Sequence, residues 1–380
     1  MVLAGIDVLQ RDGFAPLKGK RVGLLSNAGT IDRSFCHTSD IFGTSPEVNL
    51  RALFGPQHGL WGHTQDNMIE WEGTDSGAVP IYSLYGKHRE PTRKMLSGLD
   101  ALVVDIPDVG ARYYTFIWTM ALCIKACESL GIEVIVLDRP NPINGVTVEG
   151  TLLDEAFSSF VGLYSLPTRH GLTAGDLAKH LVNTRFPMSN LKVIEVEGWD
   201  RSLYLDETDY PWAVPSPNMP TVHTAVVYPG QCLLEATNLS EGRGTTRPFE
   251  TFGAPWLDGW KLAESLNSLG LGGVVFRPVE YQPTFQKHAG QMCQGCFIHV
   301  TDRRKFEPVL TTVAILEESL RQDPAMFAWN QPPYEYEFEK LPIDILAGND
   351  WLRPAIESFT PIREIKDRLR EECSAFRACS

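Results

Sequence analysis

Short apolar runs that stop abruptly in polar, Gly/Pro-rich segments dominate the first 140 residues, and this alternation restricts the chain more than any other feature. Residues 21–26, 49–54, 79–84, 101–106 and 133–137 read as strands. Residues 91–99 read as a helix opened by Pro91, and 114–130 as a long apolar helix closed by Gly131. Strands this uniformly apolar, separated by helices, predict an α/β fold with parallel βαβ units covered on both faces. Ligand sites in such sheets lie beyond the C-terminal strand ends. The segments beginning at Asn27, Gly55, Asp105 and Asp138 are therefore expected to converge on one edge.

The second half has a different texture. Residues 173–185 read as a helix with a threonine cap, 191–197 as a strand and 211–220 as a proline-rich loop. A helix is expected over 224–236 despite Pro229 and Gly230, strands over 272–278 and 296–301, and a helix over 308–321. Tyr334, Tyr336 and Phe338 alternate with glutamates, the mark of a half-exposed strand. The change of texture places a domain boundary near residue 150, giving an α/β domain over 1–150 and a second α/β (α+β) subdomain over 151–380.

At 380 residues, 43% hydrophobic and 21% charged, the chain is long and apolar enough for two cored domains. Its 34 Lys+Arg against 47 Asp+Glu leave a net charge of −13, with no basic run to track a phosphate backbone or an anionic membrane. No apolar run is long enough to span a bilayer. Cys123 and Cys127 read as core thiols. Cys293 and Cys296 have no second Cys or His pair to complete a zinc site, so no metal is expected. The N-terminus lacks a basic-then-apolar export signal, which points to a cytoplasmic location.

Five segments concentrate chemistry. Gly55-Pro56-Gln57-His58-Gly59 follows a strand; His58 could transfer a proton, bind a sugar hydroxyl or merely brace the turn. Residues 64–71 bring Asp66, Asn67, Glu70 and Trp71, the residue types that hold carbohydrates. Asp105, Asp108, Arg112 and Tyr114 fall within ten residues at a strand end, though Asp105 could be a cap and Asp108–Arg112 a plain salt bridge. Arg139 and Asn141 sit in a proline-stiffened turn. Arg169 and His170 precede a helix start suited to an anion. Residues 235–250 form the richest segment, with Glu235, Glu241, Arg243 between two glycines, and Thr245. Paired carboxylates beside an arginine suit glycosyl transfer, in which one acid protonates the leaving oxygen and the other supports the cation or activates water.

Jointly, A-L-F-G-P-Q-H-G (52–59), D-V-G-A-R-Y-Y-T (108–115), V-L-D-R-P-N-P (136–142), R-H-G-L-T (169–173), P-S-P-N-M-P (215–220) and E-A-T-N-L-S-E-G-R-G-T-T-R-P-F-E (235–250) resemble the bacterial exo-lytic β-N-acetylmuramidases, formerly a domain-of-unknown-function family. The resemblance runs from the N-terminus to about residue 355. It implies release of non-reducing terminal N-acetylmuramic acid from peptidoglycan fragments such as a muropeptide or disaccharide. It also implies a Rossmann-like domain joined to a second subdomain with the active site in the cleft between them, and no metal or organic cofactor. Glu241 and Glu235 are the expected carboxylates. Gln57, His58, Asp105, Asp108, Arg112, Tyr114, Arg139, Asn141, Arg169, His170, Asn218, Arg243 and Thr245 are expected around the sugar, with Arg169 or Arg243 reading its lactyl carboxylate.

One departure matters. Members of that family commonly carry glutamate at the third position of Gly-Pro-x-His-Gly, and here it is Gln57, which cannot transfer a proton. Asp66 or Glu70 would then compensate. The alternatives are a muropeptide- or sugar-binding protein that has lost turnover, or a hydrolase of another N-acetylated or acidic sugar.

Overall fold

The structure, a computed structural model, describes residues 1–66, 68–74, 79–186 and 190–379. Its strands are β1 (Arg21–Leu25), β2 (Asn49–Gly55), β3 (Ile81–Ser83), β4 (Ala101–Val104), β5 (Glu133–Leu137), β6 (Glu149–Leu152), β7 (Pro167–Arg169), β8 (Leu191–Ile194), β9 (Thr251–Ala254), β10 (Val274–Tyr281) and β11 (Cys293–Val300). Its α-helices are α1 (Gly5–Arg11), α2 (Thr38–Thr44), α3 (Phe116–Glu128), α4 (Ala174–Thr184), α5 (Val222–Gln231), α6 (Gly259–Ser268), α7 (Pro308–Gln322), α8 (Pro342–Ala347), α9 (Leu352–Glu357) and α10 (Ile362–Cys379).

The chain folds as two compact units. The first comprises Met1–Gly110, Tyr114–Val146 and Gly171–Val222; the second comprises Ala111–Tyr113, Thr147–His170 and His223–Ser380. A single boundary near residue 150 describes only one of these crossings.

The first unit is built on a parallel sheet of order β3-β2-β1-β4-β5-β8. Alternate residues Val22, Leu24, Val103, Ile135 and Leu137 share one buried cluster with Ile6, Leu9 and Phe42 from α1 and α2. Helices α3 and α4 pack on β5. Ten of the thirteen residues of α3 are buried, which is why its sequence is apolar all round. The order reverses between β1 and β4, so the residues after these strands border the crevice where doubly wound sheets bind ligands.

The second unit holds an antiparallel sheet of order β10-β11-β9, with α6 packed on β10 and β11, and a β6–β7 hairpin covered by α10. Arg112 is fully buried here. Its guanidinium donates to the carbonyl oxygens of Thr151 (2.8 Å), Leu166 (2.8 Å), Leu346 (2.7 Å) and Ala347 (3.0 Å). The last two end α8, so a cation sits on the negative end of that helix.

Two sequence expectations fail locally. Residues 91–99 form turns rather than a helix, closed by Leu96 N–H to Thr92 O (3.1 Å) and by the Thr92 hydroxyl accepting from Met95 N–H (3.3 Å). Residues 334–338 are a tight turn, with Glu335 and Tyr336 in the left-handed region, which no continuous strand tolerates.

Candidate active site

In the first unit β2 runs into Gly55 and then the Gln57–His58 turn. A side chain at Gly55 would lie 2.7 Å from the Trp71 ring, so glycine lets that indole close beneath the turn. Trp71 Nε1 donates to Pro56 O at 2.9 Å. His58 has φ 67°, a strained value for a non-glycine residue. Its Nδ1 donates to Thr64 O at 2.9 Å, since a carbonyl only accepts, and this bond fixes the orientation of the ring. Gln57 is buried and clamped from both ends. Its Nε2 donates to the Tyr85 hydroxyl (3.1 Å), and its Oε1 accepts from the Thr115 hydroxyl (2.6 Å). Asn218 Nδ2 donates to Gln65 O (2.9 Å), tying the proline-rich loop to this segment.

Glu70 is exposed and lines a cavity of about 480 Å³ with Trp71, Tyr82, Lys87 and His88. Asp66 is half-buried nearby in sequence. Asn67 lies outside the described residues.

The crevice between β1 and β4 is filled by the chain itself. Arg139 makes a two-pronged ion pair with Asp105 (2.6 and 2.9 Å), and Thr38 donates to the same carboxylate (2.5 Å). Asp108 Oδ2 accepts from Gly110 N–H at 2.9 Å, a local turn. Asn141 accepts from Ile143 N–H (3.1 Å) and donates to Leu172 O (2.9 Å), bracing its turn. Tyr114 is buried, and burial pushes its phenol far above its ordinary range.

The second unit gathers the glutamates of residues 235–250. Gly242 and Gly244, at φ 77° and 78°, fold the loop so that Arg243 lies between Glu235 and Glu241, each 2.8 Å away. The Arg243 guanidinium also stacks 4.7 Å from the Phe249 ring centroid. Lys287 closes the other side of Glu241 at 2.9 Å and donates to Leu234 O and Leu239 O. The Tyr334 hydroxyl donates to Glu235 Oε2 at 2.6 Å. Burial alone would raise the Glu241 carboxyl; the charges of Lys287 and Arg243 override it and hold it well below the usual carboxylate range. Glu241 is thus a fixed anion, suited to electrostatic support and not to proton donation. Thr245 donates to Gly242 O (2.6 Å) and shapes the loop.

Glu235, Glu241 and Arg243 therefore come together as the sequence suggests. Arg112, Arg139 and Arg243 are spent on buried partners within the protein. Arg169, buried at the end of β7, lines a different cavity from which Glu241 is absent among the described residues. His170 is buried beside it in sequence. Lys287 and Tyr334 were not legible as partners: they lie 46 and 99 residues from the glutamates they hold. Among the described residues no group of three or more His, Cys, Asp or Glu is arranged to hold a metal ion.

Residues 22–223 match the family model described as the N-terminal part of the exo-β-N-acetylmuramidase NamZ, and residues 226–380 match that of its C-terminal part. The chain belongs to the NamZ exo-β-N-acetylmuramidase family. It is 44% identical over 368 residues to the peptidoglycan β-N-acetylmuramidase NamZ of Bacillus subtilis (strain 168), covering 96% of this chain and 86% of that one. Two solved DUF1343 family proteins of Bacteroides fragilis share the fold. One has a TM-score of 0.89 at 35% identity, covering 99% of this chain and 97% of its own; the other has 0.75 at 26%, covering 100% and 97%. The two NamZ segments meet at residues 223–226, close to the last crossing between the compact units.

Proposed function

We propose that the chain is an exo-acting glycoside hydrolase that removes N-acetylmuramic acid from the non-reducing end of small peptidoglycan fragments, muropeptides or muramyl disaccharides. NamZ family membership along nearly the whole chain carries this reading. Glycoside hydrolysis needs a group that protonates the leaving oxygen and a carboxylate that supports the developing cation or activates water. Gln57 cannot be the acid, and its amide is already committed to Tyr85 and Thr115. Glu241 is held as an anion. Proton transfer then falls to the acidic segment after the Gln57–His58 turn. Glu70 is the better placed residue there, because it faces a cavity large enough for one sugar, where Trp71 and Tyr82 offer ring faces and Lys87 a cation for the lactyl carboxylate.

The test is chromophore release from a chromogenic β-N-acetylmuramide by the native protein and by Glu70→Gln. The expected result is turnover in the native protein and a kcat lower by about 100-fold or more in the variant, with KM little changed. Full kcat in Glu70→Gln would move the acid elsewhere. Saturable binding without turnover by the native protein would make the site a sugar receptor.

A further inference from the structure

Trp61 in the first unit is 55% exposed, yet its position is fixed. Gly59 and Gly62, at φ 82° and 68°, bracket Leu60 and Trp61, so that Leu60 drops into the core cluster while Trp61 turns outward. The Trp61 ring rests on His37, with centroids 4.7 Å apart and planes tilted by 41°. His37 is itself locked: its Nε2 donates to Asn27 O (2.8 Å) and its Nδ1 accepts from Ser39 N–H (3.2 Å). A large ring held this firmly against water forgoes much of the gain that burial would bring.

Trp61 also opens a row of rings along the C-terminal edge of the sheet. It lies over the loop after β1, where a side chain at Gly62 would meet Ala28 Cβ at 3.3 Å. Exposed His63 covers the turn after β2, since a side chain at Gly59 would lie 2.6 Å from its ring. His63 stands edge-on to Trp71, with centroids 6.2 Å apart and planes at 87°. Trp71 and Tyr82 of β3 line the cavity of about 480 Å³ assigned above to the terminal sugar. β1 and β3 flank β2, so the row spans two strand spacings, about 10 Å.

We infer that Trp61 is the platform for the second sugar of the substrate, the one that leaves, as an uncharged N-acetylated pyranose stacked by its C–H face on the exposed indole. The assignment rests on the hydrolase reading of the neighbouring cavity. A rigid indole offers broad apolar contact at small entropic cost and leaves the sugar hydroxyls in water. The ring face is electron-rich, which disfavours a carboxylate there, so a neutral sugar fits where a second muramic acid does not. The exposed residues that follow, His63 and Gln65, are polar and suit a hydroxylated ring better than an apolar protein surface.

The test compares kcat/KM for N-acetylmuramyl-β-1,4-N-acetylglucosamine with that for methyl β-N-acetylmuramide, which has no second ring, both followed by NMR. The ratio of the two is expected to fall by about tenfold or more in Trp61→Ala and by less than about threefold in Trp61→Phe, which keeps a ring. An unchanged ratio in Trp61→Ala would overturn the inference. If neither substrate turns over, the hydrolase reading fails and binding alone decides. Di-N-acetylchitobiose titrated into the 15N-labelled full chain should then saturably shift the indole N–H resonance that Trp61→Phe removes. No shift at the highest soluble concentration would overturn the platform, whatever the outcome for turnover.

Discussion

Glu241 accepts from Lys287 and Arg243 at once inside a largely buried cluster, so its charge is part of a network that must be balanced. Glu241→Gln leaves the half-buried Lys287 ammonium without its carboxylate and Arg243 with Glu235 alone, and is expected to cost about 3 to 5 kcal/mol of stability, read from denaturant unfolding. Adding Lys287→Met should restore a substantial part of that loss; an unchanged deficit would show that the pair is not the cause. At Gln57 a carboxylate would add function where the amide blocks it. A glutamate there would be buried between two hydroxyls, and desolvation would raise its pKa and keep a proton available near neutrality. Gln57→Glu is therefore expected to raise kcat on a chromogenic muramide by about tenfold or more, most at acidic pH. An unchanged rate would mean the position no longer faces the reacting bond. At this scale the sequence exposed the polar motifs but not their partners. Nothing local marks Lys287 as the counter-ion of Glu241, and Arg112 and Arg139 read as ligand-facing until burial showed them bonded to carbonyls and to Asp105.

The start of α4 ties an element to the sheet. Thr173 caps it in a reciprocal capping box with Asp176, and Asp138 at the end of β5 accepts from the Thr173 hydroxyl (2.8 Å) and Gly175 N–H (2.8 Å). Burial raises the Asp138 carboxyl to about 6. Its folded pKa exceeds the unfolded one, so its contribution to stability is full below about pH 4 and is lost as pH rises through about 6. Between pH 4 and 7 the native protein should lose about 2 to 3 kcal/mol that Asp138→Asn does not lose, measured as the difference between their two pH-dependent unfolding free energies. Parallel profiles would contradict the assignment. The strands of the sheet and the threonine cap were legible because burial on both faces and cap chemistry write themselves locally. The 91–99 and 334–338 segments were not, because there Thr92 and two left-handed residues override propensity.

Over the whole molecule, the point where the two NamZ segments meet is not a folding boundary. The second unit draws Ala111–Tyr113 and Thr147–His170 from earlier in the chain. Leu152 N–H donates to Glu372 in α10 (2.9 Å), and Arg112 holds the end of α8. A fragment of residues 223–380 would lose these and bare the face of α10 that covers β6. It is expected to unfold without a cooperative transition, as followed by circular dichroism, whereas the full chain unfolds cooperatively; a sharp transition in the fragment would refute this. A single division near residue 150 was as much as a change of texture could reveal, since chain crossings leave no compositional trace. Exo-acting release of a muramic-acid terminus is read out by incubating the native protein with a muramyl-terminated peptidoglycan oligosaccharide and following the products by NMR. Free N-acetylmuramic acid should appear from the first turnover, with the rest of the chain shortened by one sugar; internal cleavage, or an intact oligosaccharide, would rule out exo-acting release.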